Sequence, residues 1–479
     1  MPLDIKALIQ ANRGRNYDLH REHINPQWVR ALKIIGFDRV YERAQGAHLW
    51  DAQGRKYLDM QGGYAVHNVG RNHPAVKQAL KDFLDLDYST MIAFDAPLLS
   101  GLLADQLKKR AAAAGPELEY VFFTNSGTEG VEAAIKFCKC ATGRPGMLYA
   151  RMAFHGLSSG SLSVNGDPHF REGFGPFLPN CREVPFDDLA ALEDALSTRD
   201  VAGFIVEPIQ GKGVNIPKPS YLREAAALCR KHGTLFVADE IQTGVGRTGT
   251  FLAIEHDQSS GGAVDPDIVI LSKALSGGYV PVGAVLTRKS VWEKVFSSMQ
   301  RAIVHSSTFH QGSMAMVAGL AVLKAMDEEN LYSNAERMGR MLMEGLNAMK
   351  ERFELIKEVR GRGLMIGIEF GPPTHKLRSL GLTTAWNLIH AMDGDLFPQA
   401  IVIPLLDDHR ILSQVAGHEI DVVKLIPPLV IDEEDVRWFL SAFEQVMVKL
   451  HQFPGPVWEL MKKLGKHAVT KRPREAVEV

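Results

Sequence analysis

Residues 234–249 read TLFVADEIQTGVGRTG, and residues 268–284 read IVILSKALSGGYVPVGA. Each stretch begins with a short run of β-branched, aliphatic or aromatic residues, which is typical of a buried parallel strand. We predict that the first strand runs up to Asp239 and that the second ends at Lys273, just before a glycine-rich turn. Because open α/β sheets bind ligands at the carboxyl ends of their strands, this acid and this amine predict a functional site.

The carboxylate and the amine suit the chemistry of pyridoxal phosphate. A carboxylate can keep the pyridine nitrogen of this cofactor protonated, and a lysine can form a Schiff base with its aldehyde. A lysine that ends an apolar strand is partly desolvated, which lowers its pKa and frees the amine. We therefore expect Lys273 to be the Schiff-base lysine and the acid–base group, whereas Lys212 lies in a loop without this context. An Asp239 that only caps the next turn is the alternative for the carboxylate.

Two longer motifs resemble a known family. The segment DEIQTGVGRTG at 239–249, followed by LSKALSGGYVPVGAV at 271–285, is similar to the signature of class III aminotransferases of the ornithine, acetylornithine and putrescine type. The resemblance runs from about Tyr41 to about Leu450. It implies an α/β protein of fold type I, with a mainly parallel seven-stranded sheet in a large domain and a smaller α+β domain. It also implies pyridoxal 5'-phosphate as the cofactor and a ping-pong transfer between an amine or amino acid and an aldehyde or 2-oxo acid.

Composition agrees with a soluble enzyme. The chain has 479 residues, 46% of them hydrophobic and 23% charged, and a formal net charge of −2. This balance gives no indication of nucleic-acid binding. The sequence contains no apolar run of the roughly 20 residues that a transmembrane helix needs. The start MPLDIKALIQANRGRN shows no apolar h-region, so we expect no secretory signal. We expect a cytoplasmic protein without a transmembrane segment, and the four cysteines lack the spacing of a metal site.

Helical and strand patterns alternate from about Pro97 to Lys324, which favours a parallel α/β sheet. A turn at Asp51–Gly54 predicts a β-hairpin before this region, and Pro74 opens a helix. The expected organisation is an N-terminal arm with part of the small domain at 1–90, a large cofactor-binding domain at 91–330, a C-terminal small domain at 331–455 and a charged tail at 456–479. The strand candidates in the large domain are Tyr120–Thr124, Met147–Tyr149, Gly203–Val206, Thr234–Ala238, Ile268–Leu271 and Gly283–Leu286.

The segment TNSGTEGVEAAIKFCKC at 124–140 predicts a phosphate site. It places Ser126, Gly127 and Thr128 between a strand and a helix, where free backbone N–H groups and the helix dipole attract an anion. A capping box formed by Ser126 and Glu129 is the simpler interpretation. The two interpretations are compatible, and SGTE matches the phosphate-binding turn of the class III family.

The resemblance assigns further residues to the cofactor. Phe154 and His155 match an aromatic-His-Gly motif whose aromatic ring stacks on the cofactor, and Gln242 matches a contact to its 3′-oxygen. Thr308, in HSSTF, matches a threonine that reaches the phosphate of the neighbouring subunit. This last match implies a homodimer with a shared active site.

The substrate side departs from the family pattern. Glu207, in EPIQG, matches a glutamate that contacts the cofactor region and pairs with an arginine, but this chain has Lys424, in KLIPPL, at the arginine position. Arginine holds a carboxylate with a bidentate fork, whereas lysine offers a point charge. We therefore expect at least one substrate to be a terminal, non-α amine or aldehyde. A hydrophobic chain on that substrate would suit an apolar entrance segment, unless its residues are plain core: Gly63, Tyr64, Val66, Met91, Ile92 and Phe94.

Three other functions are compatible with parts of the sequence. GVGRTG at 244–249 fits the G-x-G-x-x-G pattern of NAD-dependent oxidoreductases, but the glycines neither follow a strand directly nor open a clear helix. Other pyridoxal phosphate chemistry, as in an aminomutase, racemase, lyase or decarboxylase, would use the same residues. A scaffold without activity is disfavoured because Lys273, Asp239 and the phosphate motif are all present.

Overall fold

A seven-stranded sheet forms the centre of the protein. The structure is a computed structural model in which the strand order is β4-β10-β9-β8-β7-β5-β6. Six strands run in one direction, and β10 is antiparallel to both of its neighbours, β4 and β9. The bounds of these strands are β4 Tyr120–Thr124, β5 Gly146–Ala150, β6 Cys181–Val184, β7 Val201–Val206, β8 Leu235–Asp239, β9 Ile268–Leu271 and β10 Gly283–Thr287. These pairings confirm the prediction of a mainly parallel seven-stranded sheet. The structure describes residues 2–92, 94–373, 380–392, 396–452 and Gly455.

Apolar residues pack against both faces of this sheet. In β9, Val269 and Leu271 belong to one large apolar cluster, and Ile268 and Ile270 belong to a second cluster on the opposite face. Strands that are buried on both faces need continuous apolar runs, which explains why the sequence pattern located β9. The helices that accompany these strands are α6 Leu98–Ala113, α7 Gly127–Thr142, α8 Ser159–Ser163, α9 Pro168–Arg171, α10 Leu189–Ser197, α11 Tyr221–His232, α12 Lys289–Val295 and α13 Ser313–Glu328.

The N-terminal segment joins the C-terminal segment through a second, four-stranded sheet of order β1-β2-β3-β13. The hairpin predicted at Asp51–Gly54 is confirmed, since β2 and β3 pair on either side of that turn. Strand β13 pairs with β3 in parallel, so residues far apart in the chain share one sheet. The N-terminal elements are α1 Ile5–Ala11, α2 Asn16–His23, α3 Pro26–Ile34, β1 Tyr41–Gln45, β2 His48–Asp51, β3 Lys56–Asp59, α4 Gly62–Ala65 and α5 Pro74–Asp85.

A third sheet, of order β11-β12-β15-β14, lies in the C-terminal segment. It carries Lys424 on β15, opposite Gln414 of β14. The predicted tail at 456–479 lies outside the described residues, and within them no helix is long and apolar enough to cross a membrane. The remaining elements are α14 Leu331–Lys350, β11 Ile356–Arg362, β12 Met365–Phe370, α15 Leu380–Met392, α16 Gln399–Asp407, β13 Ile411–Leu412, β14 Gln414–Val415, β15 Val422–Leu425 and α17 Glu433–Leu450.

Candidate active site

Asp239 and Lys273 come from adjacent parallel strands at the same edge of the central sheet. Asp239 is the last residue of β8, as predicted. Strand β9 ends at Leu271, so Lys273 is not its last residue; it begins a short 3₁₀ helix with a φ of 27°. A non-glycine residue in this region costs about 1–3 kcal/mol, and such strain clusters at functional sites. The apolar pattern of the strand does not reveal this turn.

Burial lowers the pKa of Lys273, and the carboxylates of Asp239 and Glu207 oppose that lowering. A larger fraction of free amine follows at neutral pH than for a lysine in water. The free amine is the form that attacks an aldehyde or accepts a proton. The electrostatics of the site therefore suit the nucleophile and base that the sequence predicted.

Asp239 is held by two hydrogen bonds. Its Oδ2 lies 2.7 Å from Nδ1 of His155, and both side chains are almost completely buried. Its Oδ1 accepts from the backbone N–H of Ile241 at 3.1 Å, so the turn-capping alternative is also realised. The Nε2 atom of His155 is buried and has no hydrogen-bond partner among the described residues. A carboxylate oriented in this way can stabilise a protonated ring nitrogen.

The phosphate motif adopts the predicted strand–turn–helix geometry. Helix α7 begins at Gly127, and Oγ of Ser126 accepts from the backbone N–H of Glu129 at 3.3 Å. A Cβ atom on Gly127 would lie 2.8 Å from Cδ1 of Ile241, so a side chain does not fit without a shift. The capping box is only half formed, because the Glu129 carboxylate accepts from Asn125 N–H instead of Ser126 N–H.

The serine-rich segment after His155 packs on this motif, and the sequence analysis missed its anchor. Oγ1 of Thr128 lies 2.7 Å from Oγ of both Ser158 and Ser161. Oε1 of Glu132 accepts from Ser158 Oγ at 2.6 Å and from the N–H groups of Gly160 and Ser161. Glu132 therefore fixes the segment against Thr128. The string GLSSGSLS was a signal of a polar loop, but nothing in it identifies a helical glutamate as its partner.

Glu207 fixes the backbone next to the ring-stacking motif. Its Oε1 accepts from Phe154 N–H at 3.0 Å, and its Oε2 accepts from Gly211 N–H at 2.7 Å. Burial raises the pKa of Glu207, which the nearby His155 opposes. The Phe154 ring packs edge-on against Phe170 with centroids 5.4 Å apart. The position of Phe154 is therefore fixed by a hydrogen bond to its backbone and by a contact with its ring.

Lys424 connects Gly211 to Gln242. Its Nζ donates to Gly211 O at 2.8 Å and to Gln242 Oε1 at 3.4 Å, and Gln242 Nε2 donates to Tyr64 O at 3.3 Å. Lys424 and Glu207, both among the described residues, form no ion pair with each other, and both carboxylate oxygens of Glu207 accept backbone hydrogens. Burial and the nearby Lys273 lower the pKa of Lys424 to about 7, against the opposing effect of Glu207.

Most residues of the entrance segment and of the HSSTF segment are exposed, and Gly63, Val66, His305 and Ser307 are partly buried. The side chains of Tyr64 and Phe94 are 54% and 101% exposed, so the alternative that this segment is plain core is wrong for them. Thr308 is also exposed, beside Ser307, whose Oγ accepts from Asn125 Nδ2 at 2.8 Å. The HSSTF segment therefore lies near the phosphate motif with Thr308 at the surface.

The GVGRTG segment does not have the geometry of a dinucleotide site. Residues 241–252 form turns after β8, without a helix, and Gly246 and Gly249 have φ values of 87° and 96°. Arg247 is completely buried and donates to Leu364 O at 2.9 Å. Since the glycines do not open a helix, the segment lacks the helix N-terminus that binds a pyrophosphate.

The donor set fits pyridoxal phosphate. The site combines a buried carboxylate, a lysine of lowered pKa and the N-terminus of a helix that begins at Gly127. These match the ring nitrogen, the aldehyde and the phosphate of the cofactor. The family description "Aminotransferase class-III" matches residues 34–447 of the chain. The chain belongs to the class III aminotransferases.

Relatives with known names support this placement. The chain is 38% identical to the acetylornithine aminotransferase of Methanopyrus kandleri, over 83% of this chain and 91% of that one. It is 36% identical to the aminotransferase PigE of a Serratia species, over 94% of this chain, but it spans only 55% of the length of that protein. The ornithine aminotransferase of Toxoplasma gondii superimposes with a TM-score of 0.78 at 28% identity, covering 94% of this chain and 98% of that one.

The family match and the named relatives confirm the family, the fold type and the cofactor that the motifs predicted. The chain is a pyridoxal-phosphate-dependent aminotransferase. Its phosphate motif, ring-stacking motif, Asp239 and Lys273 are gathered around one edge of the sheet. Lys424 stands where the resemblance of the motifs places an arginine, and a buried lysine, unlike an arginine, can lose its charge near neutral pH.

Proposed function

We propose that this aminotransferase moves an amino group by a ping-pong mechanism between a terminal amine and a carbonyl acceptor, either an aldehyde or a 2-oxo acid. The observation that carries the proposal is the buried Lys424 on the substrate side, bonded to Gly211 O and Gln242. A lysine cannot hold an α-carboxylate with the two parallel hydrogen bonds of an arginine. The names of two relatives, which refer to ornithine and acetylornithine, also support an amine at the end of a chain.

Each residue of the site has a role in this proposal. Bound pyridoxal phosphate supplies an aldehyde that condenses with amines and a ring that withdraws electrons from the substrate. The N–H groups of Gly127 and Thr128 would bind the phosphate, and Asp239 would keep a proton on the ring nitrogen. Phe154 would cover the ring, with Glu207 holding the Phe154 backbone. Nζ of Lys273 would take a proton from the amine-bearing carbon of the donor and deliver it to C4′ of the cofactor.

A hydrophobic chain on one substrate belongs to the proposal. Tyr64, Met91, Ile92 and Phe94 expose aromatic and aliphatic surface, and Tyr64 is linked through Gln242 to Lys424. Apolar area removed from water stabilises binding by roughly 25 cal/mol per Å². A long-chain amine is therefore expected to bind more tightly than a short diamine such as putrescine.

The donor is identified by a spectroscopic panel. Glutamate, alanine, ornithine, putrescine and a long-chain primary amine are added separately to the holoenzyme, and the visible absorbance of the bound cofactor is recorded. Loss of that absorbance with terminal amines, together with consumption of an aldehyde or 2-oxo acid, supports the proposal. Amine-dependent change without acceptor consumption would favour a lyase, decarboxylase, racemase or aminomutase instead.

Lys424→Arg is the matched variant for the substrate side. The arginine guanidinium can donate two parallel hydrogen bonds to a substrate carboxylate. The variant is therefore expected to raise the ratio of kcat/KM for ornithine to kcat/KM for putrescine by about tenfold, since one additional charge-assisted hydrogen bond contributes roughly 1.5 kcal/mol. An unchanged ratio would contradict the assignment of Lys424 to the carboxylate position.

A homodimer with a shared active site is also part of the proposal. Near the phosphate motif, Phe309 is 65% exposed and Thr308 is exposed, and both would be covered by a second copy of the chain. Exposed apolar area of this kind marks an interaction surface. Further exposed apolar side chains lie within residues 84–102 and 299–304, namely Leu84, Leu86, Tyr88, Leu98, Leu102, Met299, Ile303 and Val304.

Mixed dimers test this sharing directly. Lys273→Ala and Thr308→Glu are each expected to abolish activity, the second by repelling the phosphate. If Thr308 serves the site of its partner, co-expression of the two variants creates one intact site in each mixed dimer. Random assembly then restores about a quarter of the wild-type activity. If Thr308 serves its own subunit, every site in the mixture is defective and no activity returns.

A further inference from the structure

A buried ion pair lies beside the proposed site, and none of the roles above uses it. Nζ of Lys212 donates to Oδ2 of Asp167 at 2.9 Å, and the two side chains are 10% and 4% exposed. We propose that Lys212 and Asp167 are positioning residues for transamination, which fix the Gly211 peptide between Glu207 and Lys424. The inference rests on the proposed function for its kinetic readout.

The Gly211 peptide connects the acid and the amine of the site. Its N–H donates to Glu207 at 2.7 Å, and its carbonyl oxygen accepts from Lys424 at 2.8 Å. A Cβ atom on Gly211 would lie 2.6 Å from Oε1 of Gln242, so the peptide packs directly against that amide. Lys212 follows immediately in the chain. The N–H and the carbonyl group belong to the two successive peptide units on either side of the Gly211 Cα. A shift of the Gly211 backbone would therefore disturb Glu207 and Lys424 together, and the ion pair of Lys212 opposes that shift.

Asp167 extends the connection to the ring-stacking motif. Its Oδ1 accepts from the N–H of His169 at the start of α9, the helix that carries Phe170. Phe170 in turn packs edge-on against Phe154. The N–H of Asp167 donates to Asn165, whose amide donates to Gly156 O directly after His155. The ion pair thus joins the Gly211 peptide to both residues of the aromatic-His motif.

The turn after β14 also packs against the ion pair of Lys212 and Asp167. A Cβ atom on Gly417 would lie 2.5 Å from Cγ of Lys212, so this turn packs tightly on the lysine stem. Nδ1 of His418 lies 3.6 Å from Asp167 Oδ2, and its ring stacks on His169 with centroids 3.8 Å apart. Burial by three segments gives the ion pair one geometry. A salt bridge with one geometry can position a peptide, whereas an exposed one cannot.

Kinetics and visible circular dichroism of the holoenzyme test the inference. Lys212→Met is expected to raise KM for the amine by about tenfold while kcat changes by less than about threefold, because Lys424 contacts the substrate side. The circular dichroism band of the bound cofactor is expected to change, because Phe154 moves with α9. Lys212→Arg should restore both readouts. Lys218→Met is the matched control, since Lys218 lies in the same segment and is 80% exposed beside Asp187.

A double variant separates positioning from charge neutralisation. Lys212→Met leaves Asp167 buried without its partner and so lowers stability, whereas Lys212→Met with Asp167→Leu removes both charges. We expect the double variant to recover thermal stability but to keep the raised KM and the altered dichroism band. Recovery of a wild-type KM and band in the double variant would overturn the inference. Absence of amine turnover in the wild type would instead contradict the proposed function, and the dichroism band would then decide the inference alone.

Discussion

The two buried lysines of the site make the stability of the cofactor-free protein depend on pH, and Lys424→Met isolates the contribution of one of them. The pKa of Lys424 is lowered from 10.5 to about 7, chiefly by burial. Methionine keeps an unbranched chain of similar volume and removes the titrating group. The comparison of the two proteins at several pH values therefore reports on the proton that Lys424 binds.

The sign follows from proton binding in the two states. Between the folded pKa near 7 and the unfolded value of 10.5, the unfolded chain holds a proton on Lys424 that the folded chain has released. Stability rises with pH wherever the unfolded state binds more protons. The penalty of burying the charged lysine is thus fully present at pH 6 and is relieved progressively above pH 7. One pKa unit corresponds to about 1.4 kcal/mol, so wild type should gain about 3 kcal/mol relative to Lys424→Met between pH 6 and pH 9.

Urea unfolding of the apoprotein measures this gain. Both proteins are unfolded at pH 6, 7.5 and 9 at one protein concentration, because dissociation of a dimer would otherwise alter the result. Lys77→Met, at an exposed position of α5, serves as the control and should show no pH-dependent difference from wild type. A difference between wild type and Lys424→Met that stays constant from pH 6 to pH 9 would refute the lowered pKa of Lys424.

Three further predictions concern the site. Asp239→Asn keeps the shape but removes the charge beside the ring nitrogen, and kcat should fall by about 10²–10³-fold in steady-state assays. Gly127→Ala brings a Cβ atom within 2.8 Å of Ile241, so a titration of the apoprotein should show weaker binding of pyridoxal phosphate, whereas Gly101→Ala, with no atom within 4 Å, should not. Because Lys424 loses its charge above pH 7, the kcat/KM ratio of ornithine to putrescine should fall between pH 6.5 and 8.5.

The strands that are buried on both faces of the sheet were predicted correctly from the sequence. Ile268–Leu271 and Tyr120–Thr124 have the predicted bounds, because an uninterrupted apolar run has few other places in a soluble protein. The edge strand Cys181–Val184 was missed, since only one of its four residues is buried and two of the others are charged. The reversed direction of β10 was also not predictable, because strand direction depends on the connection and not on the residues within the strand.

Within the site, the sequence identified residue types but not the atoms that they contact. Asp239 and Glu207 stood out at strand ends, yet their partners His155 and Gly211 follow from side-chain orientation in the folded chain. Glu132 looked like any helical glutamate and is instead the anchor of the serine-rich segment. A motif can be matched letter by letter, whereas a hydrogen bond between distant segments requires coordinates.

Under the proposed function, a lysine instead of an arginine at position 424 would affect the electrostatics of the reaction as well as carboxylate binding. An arginine stays protonated at every pH of interest, so it would place a permanent cation beside Lys273. Lys424 has a pKa of about 7, so it can release its proton when Lys273 is protonated during transfer of the amino group. Two like charges in a buried site repel each other strongly, and the loss of one removes that cost. A substrate that brings no carboxylate needs no permanent cation there, and this makes a titratable residue at position 424 compatible with a terminal amine.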